Sequence, residues 1–214
     1  MKPVSLSFTL GAADVDGIAQ SQSLSAAGAL TLNGSFVTSG VAAFDGGNVA
    51  RQVKFTFAAN ETGRSFNVFG TILLHGSPVI EAVAGTSVSA STTMNFFSIT
   101  RVTIDAASAG AMTVGTSGRG ASAWVPIDPY QVPVNVGFAT EVGSGTLDWT
   151  LQYTFDNVWD KSLLPSAVTL FADSAFTAKT TSLNGNFVAP CTAIRLQVNS
   201  GTDPITLNVI QAGY

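Results

Sequence analysis

The chain has 214 residues, a formal net charge of −4 and 10% charged residues, where a soluble protein averages about 25%. Its nine Lys and Arg are scattered without a basic run, which argues against binding nucleic acid through phosphate contacts. Its one cysteine excludes an intrachain disulfide framework and suits a reducing cytoplasm.

The length allows one large all-β domain or two of about 100 residues each. Ser, Thr, Asn, Gly and Ala stand where Lys and Glu usually sit, so the surface costs little to desolvate beneath another protein. The opening MKPVSLSFTL alternates Val4, Leu6 and Phe8 with Ser and Thr. It reads as an extended arm and lacks the continuous apolar core of a signal peptide. No stretch approaches the roughly 20 apolar residues of a membrane-spanning helix, and no membrane partner is expected. Asp14 and Asp16 in DVDG resemble the start of a calcium loop, but the later acidic ligands and the closing Glu are missing.

From here the pattern has period two, the mark of half-buried strands. Val53, Phe55 and Phe57 share a face, as do Phe66 and Val68, then Val102 and Ile104, then Met112 and Val114. The spacing predicts hairpins over 53–68 and 102–114, with the polar turns ANETGR and ASAGA. His75 stands alone in LLHGSP and reads as a loop residue, since one histidine makes no multi-histidine metal site. The segment 115–133 is rich in Gly and Pro without clean alternation and reads as a linker or long loop.

Beyond it, Val132, Val134, Val136 and Phe138 form one alternating strand, and Leu147, Trp149, Leu151 and Tyr153 another. Asp156 and Asn157 in FDNVWD fit turn positions, their side chains bonding nearby backbone. The best helical stretch, 160–171, is broken by Pro165 and reads as a turn. Cys191 reads as a small buried hydrophobe. A third hairpin is predicted over 194–209, around SGTDP. The hexamers LNGSFV (32–37) and LNGNFV (183–188), each ahead of a hairpin, suggest internal duplication.

These readings give an all-β chain of two antiparallel β-sandwich-like domains, 1–120 with the N-terminal arm and 121–214, joined by the Gly/Pro-rich linker. One continuous sandwich with that stretch as an excursion is the alternative. No catalytic, cofactor-binding or metal-binding residue is predicted: no GxSxG elbow, P-loop or dinucleotide fingerprint is present. Partner-binding candidates are Val4, Leu6 and Phe8, whose alternation suits strand addition to a neighbour's sheet edge, and the aromatics Trp124, Tyr130 and Trp159 in or beside irregular segments. Such rings anchor on protein surfaces, or stack against sugars.

The stretch RSFNVFGTILLHGSPVIEAVAGTSVSASTTMNFFSITRVTIDAASAGAMTVGTSG, 64–118, resembles small structural proteins of tailed bacteriophages. The resemblance lies in a strand ending Gly-Thr, the E-x-V-x-G of 81–85, the F-x-S-I of 96–99 and a closing V-G-T-S-G. LDWTLQYTFDNVW and AIRLQVNSGTDPITLNVIQAG have the same look. The resemblance implies a virion component, foremost a capsid decoration or cement protein on the capsid surface. Its partner would be the major capsid protein, and such proteins are often trimers. A head–tail connector or tail component is the neighbouring reading. From the residues alone, a carbohydrate- or receptor-binding module remains open.

Overall fold

The computed structural model describes residues 3–44, 49–74, 76–128, 130, 134–143, 146–160, 167–187 and 190–212. His75, Val132 and the 161–166 part of the stretch read as a turn lie outside them. In chain order the strands are β1 (Val4–Thr9), β2 (Ala19–Gln22), β3 (Gly28–Ala29), β4 (Val37–Thr38), β5 (Val41–Ala43), β6 (Val49–Phe57), β7 (Ser65–Thr71), β8 (Pro78–Ala84) and β9 (Ser89–Phe96). There follow β10 (Ser98–Ile104), β11 (Met112–Ser122), β12 (Val125–Pro126), β13 (Asn135–Val142), β14 (Leu147–Thr154), β15 (Phe171–Ala172), β16 (Leu183–Phe187), β17 (Ala193–Gly201) and β18 (Pro204–Ala212). The protein is all-β, and its strands form sheets of four, six and eight.

The eight-stranded sheet carries the order β15-β14-β17-β11-β6-β9, with β12 beside β17 and β2 beside β11. The six-stranded sheet (β4-β5-β10-β7-β8, with β3 on β10) faces its first half, and the four-stranded sheet (β1-β18-β13-β16) faces its second. Each half encloses its own core. In the first, Phe55, Phe57 and Phe66 pack ring to ring, with Phe55 and Phe66 5.0 Å apart. In the second, Trp149, Leu151, Leu196, Val198, Leu207 and Val209 are wholly buried. Burying each of these large side chains contributes about 1.5–3 kcal/mol.

The pairing is the same in both halves. From β6 to β11, the first strand pairs with the fourth and sixth, and the second with the third and fifth. From β13 to β18 the rule repeats strand for strand. Further strands flank each set: β2 on β11 and both β3 and β5 on β10 in the first, β1 on β18 and β12 on β17 in the second. This is the strand order of a jelly roll, present twice. The duplication is therefore in topology. The two LNG hexamers do not mark it: the second is strand β16, whose counterpart is β9, while the first mostly precedes β4 in irregular backbone.

The three predicted hairpins are corrected. β6 pairs with β9 and β11, and β7 with β8 and β10, never with each other. Likewise β10 and β11, and β17 and β18, lie in facing sheets. Each turn is an arch that carries the chain across the sandwich, so the two apolar faces meet over the core. Hairpin and arch share the period of two, and none of the three turns has the Asn-Gly or Asp-Gly of a two-residue hairpin. Gly201 shows the geometry: its φ is +101°, and a Cβ there would lie 2.1 Å from the Thr146 carbonyl oxygen.

The first part of the predicted linker, 115–122, is corrected, and its residues 129 and 131–133 lie outside the described ones. Met112–Ser122 is one strand, paired with β6 on both sides of a register shift between Thr116 and Gly120, and at Gly120 and Ala121 paired also with Val198 and Gln197 of β17. The boundary at residue 120 falls inside β11, which closes the first roll and starts the flank of the second. Gly115 packs against the incoming chain, where a Cβ would stand 1.8 Å from the Asp14 oxygen.

Candidate functional site

The partner-binding candidates take separate places. Val4 and Leu6 are half-buried against the second core, and Phe8 is 5% exposed within it. Their strand is paired with β18 from Val4↔Val209 to Thr9↔Pro204, so strand addition already occurs within the chain. Tyr130 is 89% exposed and Trp159 43% exposed. Trp124 is half-buried and packs on the small apolar cluster of Ile72, Leu74, Val158 and Ala193. Among the described residues no ring contact joins Trp124, Tyr130 or Trp159. An aromatic group absent from the sequence reading is Tyr153, Phe155 and Phe171, with ring centroids 5.4–5.7 Å apart at the outer end of the eight-stranded sheet. Tyr153 and Phe155 are two apart in sequence, a usable signal. Phe171 reaches them only because β15 pairs with β14.

Trp124 lines a cleft of about 220 Å³ at the seam of the two rolls. The first roll contributes Ile72–Leu74, from the connection after β7, and Thr93–Asn95 of β9. The second contributes Val168, Leu170 and Arg195 of β17. The Arg195 guanidinium carbon lies 4.7 Å from the Trp124 ring centre, and its Nε donates to Gln152 Oε1 at 2.8 Å. Burial pushes its pKa down to about 10, which leaves it protonated at neutral pH. The counterpart arginine of the first roll, Arg101, also lies over a ring, 3.9 Å from the centre of Phe69, but on the open surface.

No family model, curated protein or solved structure matches the chain. The site is therefore read from its own chemistry.

Two other charged groups hold the fold. Arg51 is 4% exposed, and its Nη2 donates to the carbonyls of Gly11, Ala12 and Ser117 at 2.7, 3.1 and 3.2 Å. It thereby clamps the segment that runs from β1 into the first roll. Glu61 is fully buried; its Oε1 accepts from the Ala109 and Gly110 amides, and its Oε2 lies 3.1 Å from Arg64 Nε. It ties the ANETGR arch to the ASAGA arch.

Asp14 accepts from Ser35 Oγ at 2.7 Å and from the Asp16 amide, and the Ser35 bond foremost lowers its pKa. Asn157 Oδ1 accepts from the Trp159 amide two residues on and acts as a turn residue, whereas Asp156 Oδ2 accepts from the amide of the distant Thr169 and ties the turn to later chain. Among the described residues no three His, Cys, Asp or Glu are grouped to hold a metal ion.

Cys191 is 3% exposed, and burial pushes its thiol up to about 11, so it stays protonated at neutral pH. Native protein is expected to leave a thiol-specific disulfide reagent unreacted for hours, and denatured protein to release one equivalent at once. Rapid native labelling would contradict the buried placement.

Proposed function

We propose that the chain is a non-enzymatic structural protein of a tailed-phage virion that decorates the capsid, stabilising it by binding major coat subunits as a homo-oligomer, with a trimer favoured. The observation that carries this reading is the outer face of the four-stranded sheet. It presents Ser5, Ser7 and Thr9 on β1, Thr206, Asn208 and Ile210 on β18, Asn135, Gly137, Ala139 and Glu141 on β13, and Asn184 and Asn186 on β16. Glu141 is the one charged side chain among them, and Asn208 already hydrogen-bonds it at 3.1 Å.

A neutral face of small side chains can be covered by a neighbour without stripping water from charges. Jelly rolls serve as capsid building blocks and as lectins alike, so the fold alone does not choose between them. Exposed Tyr130 and Trp159 support the second reading, glycan or receptor binding.

Quantitative mass spectrometry of purified particles separates these readings. A copy number comparable to the major coat protein is expected. A handful per particle would move the chain to the connector or tail. Absence from the particle would overturn the virion reading, and glycan binding lost in Trp159→Ala would then support the lectin reading.

A further inference from the structure

We propose that the seam cleft is a binding site for a small ligand carrying one carboxylate on an apolar body. Two arginines are drawn in from the open surface, Arg51 buried and Arg195 half-buried. Arg51 spends its Nη2 on three backbone carbonyls and is a structural clamp. Among the described residues Arg195 makes one hydrogen bond, from its Nε to the neutral Gln152. Among the described residues the ion pair is Arg64 with Glu61, so no carboxylate answers Arg195. Its half-buried guanidinium lines the cleft, and its terminal nitrogens, for which no acceptor is found among the described residues, are open to a fitted anion.

The surroundings narrow the anion. Leu74, Met94, Val168 and Leu170 give the cleft apolar walls, beside the polar Thr93, Asn95 and Ser122. One cation balances a monoanion; Thr93 Oγ1, Asn95 Nδ2 and Ser122 Oγ already donate within the protein, so the second charge of a phosphate dianion would go unanswered. The planar fork of arginine matches a carboxylate edge to edge, and the Trp124 ring against it already limits its rotation, so little freedom is lost on binding. At about 220 Å³ the cleft is smaller than the roughly 300–1,000 Å³ of drug-sized pockets. It suits one amino-acid-sized group. Its position where two sandwiches meet is a common one for ligands.

The test titrates the full chain calorimetrically with N-acetyl-leucine and with N-acetyl-leucinamide, its uncharged counterpart. The acid is expected to bind with a Kd on the order of 1 mM, and the amide at least about tenfold more weakly. Arg195→Gln keeps a side chain able to bond Gln152 and is expected to lose the preference for the acid. Leu170→Trp, at a partly exposed wall position, leaves the charge in place and is expected to block the acid by filling the cleft. Circular dichroism confirms that each variant is folded. No binding of the acid, equal binding of acid and amide, or undiminished acid binding by folded Arg195→Gln would each overturn the proposal.

Discussion

A chain lacking Met1–Thr9 is expected to lose most of the stability of its second roll. Phe8 sits in the second core, and deleting a buried Phe costs about 3–5 kcal/mol. Half-buried Val4 and Leu6 add about 1 kcal/mol each, and the ladder to β18 disappears from Val209 to Pro204. The loss approaches the roughly 5–15 kcal/mol that holds a whole domain together. It also turns β18, now central, into an open apolar edge that invites aggregation. Urea unfolding followed by tryptophan fluorescence reads this directly, since Trp124, Trp149 and Trp159 all lie beyond the first roll. The truncated chain is expected to unfold at much lower urea, and an unchanged midpoint would make β1 a dispensable arm. Loss of coat binding on truncation would therefore not by itself assign β1 to the contact.

Arg51→Ala is the second large effect. It removes charge-assisted bonds to Gly11, Ala12 and Ser117 and leaves their carbonyls to find water. Loss of such charge-assisted bonds costs about 1.5–3 kcal/mol for each acceptor left unmet. The consequence is also spatial: the clamp holds the connector between β1 in one roll and β2 in the other, on the strand that pairs with β11. Calorimetry of the variant is expected to show a lower and broader transition, with the two rolls melting more independently. Arg51→Met, which fills similar volume without donors, is expected to match the loss within about 1 kcal/mol. A loss in Arg51→Ala alone would assign the effect to packing.

Strand positions were legible in the residues because half-buried strands alternate. Val53, Phe55 and Phe57 are buried as their spacing implies, and so are Ile194, Leu196 and Val198. What the alternation cannot carry is which strand is the neighbour. The apolar faces of 194–198 and 205–209 point at each other across a core, and the same letters would serve a hairpin. The Gly/Pro signal misled at 115–122 for a related reason. Gly115 and Gly120 are there for close approach, to the Asp14 backbone and to Leu10 and the Ala50 carbonyl, not for a loose linker.

The site was legible only in part. Trp124 stood out as an aromatic beside irregular chain, while Arg195 was simply one residue of the strand predicted from 194 onward. That they touch follows from the register of β12 against β17, where Val125 pairs with Ile194, and register is a property of the assembled sheet.

The pairing of the first strand with the last also sets the order in which the molecule can be made. The Ser7 and Thr206 hydroxyls that meet across β1 and β18 are 199 residues apart in the chain. During synthesis the first roll has all of its own strands once β11 has left the ribosome. Strand β1 must meanwhile wait, unpaired, until β18 has been translated. Closure of so long a loop is slow and exposes an apolar strand in the interval. Its Ser5, Ser7 and Thr9, set between the apolar residues, keep that waiting segment soluble until its partner arrives.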